Sequence, residues 1–404
     1  MSRQAFRAAG YPWRLYCGPQ VIEQRLTEAM DRTGAKRAMV ICSPSINRRT
    51  NTVQRIEAAL GDRFAGVFDG IEKDSTFASV DAARQAAVDA KADLLIAAGG
   101  GSVIVAVRAV AIFLAEAGDP FEIMTQYPEG KPAYSPRLMA PKPPIINIPT
   151  TPTSAMNRAG TGLKNPDLDQ RMEYFDPKTR PSAIFLDDEV LLSAPKDVVR
   201  STATTVFAST VSALSQKGLN PLVAGDRDNA FRLAHAAYLR LMDNLDDPAL
   251  RTDLCLAAFL QNRAEDDGRG RFRGGPFSGN YAVSTALHIR YPTVGQGEST
   301  SVVHAPAMRL AEDVDLQAAR QVAEGIGVWS DGMDAPQATE AVACAVEDIY
   351  ERTGVPTQLR QLDIPKDDLI NIAKETVKNF NANAGARSEE QQIQDSLTLL
   401  EAAW

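Results

Sequence analysis

The sequence predicts a doubly wound (Rossmann-like) α/β domain over residues 1–195 and an all-helical domain over residues 196–404. Three observations carry this. In the first half, short runs that are apolar throughout alternate with helical stretches, the pattern of parallel strands covered on both faces. From residue 196 strand-like runs nearly vanish, and long Ala- and Leu-rich segments repeat apolar residues every three or four positions. Between one apolar run and the apolar helix after it stands Gly99-Gly100-Gly101-Ser102, a strand–turn–helix junction of the kind where open α/β sheets take ligands.

In chain order, residues 22–32 read as a helix and 37–41 (RAMVI) as the first strand. A Ser/Pro-rich turn at Ser43, Pro44 and Ser45 follows, then an amphipathic helix over 52–60. Residues 65–68, 94–98 and 145–148 supply three more strands. The boundary falls in DDEVLLSAP, residues 187–195. Beyond it, helices are expected over 198–217, 228–242, 250–263, 310–326, 335–353 and 366–379. The exception to this regularity is a polar, glycine-rich loop at 263–279 with four arginines.

Composition narrows the function. Lys and Arg number 43 against 51 Asp and Glu, a net charge of −8 that argues against a nucleic-acid partner. Hydrophobic residues at 44% provide for a large core. Cys17, Cys42, Cys255 and Cys344 form no CxxC pair, so neither a disulfide framework nor a zinc ribbon is expected. The N-terminus carries no apolar signal region, and the apolar stretch 94–115 is broken by three glycines and Arg108. A cytoplasmic protein with no membrane partner is the expectation.

Two motifs carry chemistry. In Gly99-Gly100-Gly101-Ser102 the glycines let the backbone approach a ligand, and the helix start presents amides with a partial positive charge, a geometry suited to pyrophosphate. A plain tight turn needs only one glycine. In IPTTPTSAMN, a strand ends at Pro149 and leaves hydroxyls at Thr150, Thr151, Thr153 and Ser154 where such sheets bind ligands; a Ser/Thr-rich capping turn reads the same way.

Together these segments resemble the iron-containing alcohol dehydrogenase family, of the dehydroquinate synthase-like superfamily. Its opening phrase resembles residues 15–22, its cofactor loop GGGSVIVAVRA, its hydroxyl motif IPTTPTSAMN, and its closing helices TGVPTQLRQLDIPKDDLINIAKE. The resemblance implies NAD(P) binding, with Gly99, Gly100, Gly101 and Ser102 at the pyrophosphate and Thr150, Thr151 and Ser154 toward the nicotinamide. Where the family often carries a ribose-binding Asp, this chain has Cys42-Ser43-Pro44, with Arg48 and Arg49 nearby. That places Ser43 in the cofactor site and makes NADP(H) at least as fitting as NAD(H). A homodimer is also implied.

The departures concern the family's metal, held by an Asp and a His four residues apart on one helix plus two later histidines. Phe207 and Val211 stand at the first two positions and Ser284 at the third, while His304 matches the last. Neither Phe nor Val can ligate a cation, so no divalent metal is expected. His288 falls where the family has a neighbouring catalytic His. The Asp three residues after the loop Ser is Val105, the Lys six after it is Arg108, and Pro152 to Asn157 replaces the family's glycines and acid.

Without a Lewis acid, hydride transfer needs a pre-activated substrate, as the family's maleylacetate reductase branch implies, or protein groups in place of the cation. The candidates are His288 and His304 as proton donors. Arg171 lies near the family's cofactor-side Lys. Arg263, Arg269, Arg271 and Arg273 suit an anionic small-molecule substrate, unless Glu265, Asp266 and Asp267 neutralise them. The expectation is an NAD(P)(H)-dependent oxidoreductase acting on a carbonyl or activated double bond. The alternative is a lyase, hydrolase or ligand-binding protein that kept the fold and lost the redox chemistry.

Overall fold

The computed structural model describes residues 5, 6, 8–128, 131, 133–168, 170–266, 276–278, 280–377 and 388–404. Its chain divides into two compact units. An α/β unit holds Tyr11–Pro195 with Asp246–Cys255, and Lys196–Leu245 with Leu256–Trp404 form the bulk of a helical unit.

In the α/β unit the strands are β1 (Leu15–Gly18), β2 (Ala38–Cys42), β3 (Phe64–Phe68), β4 (Leu94–Gly99), β5 (Ile145–Pro149) and β8 (Ala183–Asp187). They form one parallel sheet in the order β1-β8-β5-β4-β2-β3. Side chains of a strand alternate between faces. Ala38, Val40, Ile96 and Ile148 therefore join Leu26 and Met30 of α1 (Val21–Asp31) and, past α2 (Pro44–Arg49), Ile56 of α3 (Thr52–Leu60). Met39, Ile41, Leu95 and Ala97 join Val80 of α4 (Phe77–Asp89) and Ile104 and Val107 of α5 (Gly101–Ala115). Both faces are covered, which is why β2 and β4 read as unbroken apolar runs and β5 departs from one only at the buried Asn147, which donates to the Met156 carbonyl at 2.8 Å.

Three features of this unit differ from the sequence reading or were missing from it. The turn expected at Ser43–Ser45 opens α2, with Pro44 at the first helical position, where its missing N–H has no consequence. The short strands β1 and β8 complete the sheet at one side. An antiparallel hairpin, β6 (Gly160–Leu163) with β7 (Met172–Phe175), follows the hydroxyl motif.

Past α6 (Pro120–Ile123) and α7 (Asp188–Leu192), the described elements are helical: α8 (Lys196–Leu214), α9 (Pro221–Leu239), α10 (Pro248–Asp266), α11 (Tyr281–Arg290) and α12 (Gln296–Arg309). Then come α13 (Leu316–Ile326), α14 (Ala335–Arg352), α15 (Leu369–Glu375) and α16 (Glu389–Ala403). The helix expected from residue 228 starts earlier because the Asn220 side chain accepts from the amides of Leu222 and Val223 ahead of Pro221. The helix expected over 310–326 begins at Leu316, where Asp315 caps the amide of Ala318. At the end expected over 366–379, a 3-10 turn at Lys366–Asp368 precedes α15; residues 378 and 379 lie outside the described residues. Among the described residues no helix is long and apolar enough to cross a membrane.

α8 and α12 cross at close range: a methyl group on Gly297 would overlap the backbone of Ser201. Another tie joins α11 to α15 and the turn before it. Arg290 contacts Asp368 and Glu375 at 2.5 Å each, and Asn371 donates to Asp368 at 2.8 Å. The Arg290 guanidinium holds the Asp368 carboxyl well below the usual carboxylate range. A depressed carboxylate pKa stabilises the fold above the unfolded value of about 3.9 and ceases to do so as pH falls through the folded value. Asp368→Asn is therefore expected to cost about 1–2 kcal/mol at pH 7 and progressively less below about pH 4, measured by urea unfolding at both pH values.

Candidate active site

Three strand ends lie level at the C-terminal edge of the sheet. Cys42 pairs with Ala98, Ala98 with Ile148, and Gly99 with Pro149. Ser43, Gly100 and Thr150 therefore leave the sheet at one edge, and two sequence motifs meet there. Thr150 donates its amide to the Gly99 carbonyl at 3.1 Å. A methyl on Gly100 would sit 3.6 Å from the Thr151 hydroxyl and 3.8 Å from that of Thr150, and one on Gly101 3.1 Å from that of Thr153.

Gly99 is fixed as glycine by its surroundings, since a β-carbon there would come within 2.7 Å of the Val103 side chain. The first bonds of α5 run from the amides of Val103 and Ile104 to the Gly100 carbonyl. The amides of Gly101 and Ser102 thus belong to the unsatisfied helix start, whose first turn carries no acid to compete for an anion. Beside it, the Thr151 hydroxyl is buried and has no hydrogen-bond partner among the described residues. Ser154 stands half-buried on the turn that follows.

Ser102, expected at the pyrophosphate, also holds a neighbouring loop with its side chain. Its Oγ accepts from the Asp74 amide at 3.1 Å, and its carbonyl accepts from the Ser75 hydroxyl at 2.6 Å. Asp74 and Ser75 are both left-handed, at φ of 64° and 55°, a conformation that these bonds help to hold. No sequence pattern marked this loop.

Arg108 is the second unforeseen part. It lies fully buried on α5 and donates to the carbonyls of Ala155 at 3.0 Å, Ile104 at 3.4 Å and Gly160. Among the described residues no carboxylate pairs with it, and burial lowers its pKa to about 9, leaving it charged at neutral pH. It ties the hydroxyl-bearing loop and β6 to the helix that starts at the glycine turn.

At the end of β2, the Ser43 and Ser45 hydroxyls are 3.0 Å apart. Asn47 donates to Asp69 at 3.1 Å, and Arg48, largely exposed, lies 3.6 Å from the same carboxylate. Arg171 precedes β7, its Nε buried without a hydrogen-bond partner among the described residues.

The histidines belong to the helical unit. His288, on α11, donates Nδ1–H to the Ser284 carbonyl at 2.9 Å. His304, on α12, is fully buried. Its Nε2 bonds the Ser212 hydroxyl at 3.0 Å and its Nδ1 the Tyr350 hydroxyl at 2.7 Å. Burial lowers the His304 pKa to about 3, so the ring is neutral. Arg263 is engaged by Asp226 at 2.7 Å; Arg269, Arg271 and Arg273 lie outside the described residues.

Residues 12–188 match the model of the family described as iron-containing alcohol dehydrogenase. Maleylacetate reductase 2 of Cupriavidus pinatubonensis is 28% identical over 63% of this chain and 62% of its own length. The maleylacetate reductase of Burkholderia cepacia is 25% identical over 88% of this chain and 87% of its own. Lactaldehyde reductase of Escherichia coli is 22% identical, covering 94% and 95%. The crystal structure of a 1,3-propanediol oxidoreductase superposes on all of both chains with a TM-score of 0.82 at 20% identity. Residues 12–188 thus carry the signature of the iron-containing alcohol dehydrogenase family.

The family implies a cation, and the donors present do not fit one. Of the four resembling positions, Phe207 and Val211 offer no donor atom and both are fully buried. Ser284 spends its hydroxyl on the Tyr281 carbonyl at 3.1 Å, and His304 has both ring nitrogens engaged. Among the described residues no three His, Cys, Asp or Glu side chains converge.

Proposed function

We propose that this chain is an NAD(P)(H)-dependent oxidoreductase that reduces a carbonyl or an activated double bond of a small molecule without a divalent metal. The observation that carries the reading is the buried, unpartnered Thr151 hydroxyl facing a glycine turn at a helix start. An orphaned polar group of this kind costs about 1–3 kcal/mol unless a ligand satisfies it, and the adjacent amides select for an anion. A dinucleotide diphosphate has the charge for that cradle. The names of the relatives, which are reductases and dehydrogenases, support the same class.

When bound, the nicotinamide supplies the hydride. The chain's own groups bind and hold protons. Gly99, Gly100, Gly101 and Thr151 cradle the diphosphate, and Thr150 and Ser154 flank it. Ser43 and Arg48 stand at the strand end level with the turn. Arg48 is largely exposed and shares Asp69 with Asn47, so its pull on a 2′-phosphate is modest. Arg48→Ala is expected to weaken NADPH several-fold while leaving NADH unchanged, read by fluorescence titration.

His288 is the proposed proton donor: the Ser284 carbonyl holds its Nδ1–H, and the imidazolium form gives up the proton on Nε2. His288→Ala should reduce turnover at least tenfold with nucleotide affinity retained. Unchanged turnover would remove His288 from the mechanism. The decisive experiment is titration of metal-analysed protein with NADH and NADPH. Binding followed by oxidation of the reduced nucleotide with carbonyl or enoyl substrates is the expected result. No binding of either nucleotide would overturn the oxidoreductase reading in favour of non-redox chemistry.

A further inference from the structure

We propose that the locus where the family resemblance puts a cation is, in this chain, a closed structural core that joins α8, α12 and α14, with His304 as a hydrogen-bond node that neither ligates metal nor transfers protons. The inference goes beyond the proposed reaction and does not depend on it, since every contact lies inside the helical unit.

The space is occupied by rings. Phe207 stacks on Tyr238 at a centroid distance of 4.6 Å and an interplanar angle of 3°, and meets Tyr350 edge-on at 6.0 Å. Tyr238 and Tyr350 meet nearly at right angles at 6.4 Å. Phe207, Tyr238, Val211, His304 and Tyr350 are all fully buried.

Polar atoms in this core are satisfied among themselves. The Tyr238 hydroxyl bonds Thr204 at 2.6 Å and Thr353 at 3.2 Å. Ser212 and Tyr350 take the two nitrogens of His304 from opposite sides. A neutral imidazole has one donor and one acceptor, so these partners exhaust it. A cation at Nε2 would have to displace Ser212, with Phe207 and Val211 at the neighbouring ligand positions. An unshielded divalent charge among such groups is strongly disfavoured. Proton transfer is closed off as well, because neither nitrogen reaches solvent or substrate without breaking its bond.

The test uses the full chain, produced in medium supplemented with iron and zinc and purified without chelator. Metal content is measured by mass spectrometry, and thermal unfolding is followed with EDTA, with added Zn²⁺ and with neither. The expected result is metal well below one ion per chain and a Tm that stays within about 1 °C across the three conditions. Tyr350→Phe and Ser212→Ala, which keep the shape, should each lower Tm by a few degrees, equally with and without Zn²⁺. Near-stoichiometric metal that EDTA removes with a fall in Tm would overturn the proposal, as would its loss in His304→Gln. If the variants do not fold, the wild-type metal content and chelator response decide alone. Nucleotide titration of the same samples separates the outcomes: failure to bind NADH and NADPH would sink the oxidoreductase reading and leave the core assignment standing.

Discussion

Gly100→Val is expected to weaken NADH and NADPH binding at least a hundredfold, about 2.8 kcal/mol, while the protein unfolds at nearly the same temperature. The two halves of this expectation come from one geometry. A β-carbon at residue 100 meets the threonine hydroxyls at ordinary contact distances of 3.6 and 3.8 Å. Gly100 itself is extended, at φ −79° and ψ −167°, so a branched residue fits the backbone without strain. The γ-methyls would then fill the gap between the turn and Thr150 and Thr151, covering the amides proposed to bind the diphosphate. The control is Gly99→Val, which should fail differently, because its β-carbon already clashes with Val103 and the fold itself would loosen. Isothermal titration with both nucleotides, alongside thermal melts, distinguishes the two. Retention of wild-type affinity in Gly100→Val would place nucleotide binding somewhere other than this turn.

Arg108→Ala carries the largest expected stability loss, about 2–4 kcal/mol. The substitution strips donors from the Ala155 and Gly160 carbonyls and leaves a void between α5 and the loop that carries them. One term acts in the opposite direction, since a buried guanidinium without a carboxylate is itself costly and its removal recovers part of the loss. Arg108→Met separates the terms: it keeps most of the volume, removes the charge and abandons the carbonyls. Denaturant unfolding should rank wild type above Arg108→Met and Arg108→Met above Arg108→Ala. Because the same carbonyls anchor the loop that carries Thr150, Thr151 and Ser154, both variants should also lose nucleotide affinity. A variant as stable as wild type would mean that the loop is held by other contacts.

These two positions mark how far the sequence could be read. The glycine turn and the threonines were legible because glycine and hydroxyl side chains are the chemistry, and the strand before each motif was a mostly apolar run. Their meeting was legible only through the resemblance, since strand order is a tertiary fact. Arg108 appeared in the sequence as an interruption of an apolar stretch and a substitute for Lys. Its partners are backbone carbonyls, which no side-chain pattern reveals. The loop at Asp74 and Ser75 stayed hidden for the same reason.

The histidines show the other limit. His304 occupies a matching motif position, yet its environment is set by Tyr350, 46 residues further along. The weak strand β1 and the hairpin β6–β7, with two glycines in one short strand, lacked the apolar run that exposed the central strands.

The crossing of α8 and α12 at Gly297 has a consequence for motion. With no side chain at the contact and Ser201 pressed against it, neither helix can shear along the other, because a shift of one residue would bring Glu298 or Gln296 into the space that only hydrogen fills. These helices must therefore travel as one rigid piece, and any rearrangement that accompanies turnover has to be taken up in the connecting loops.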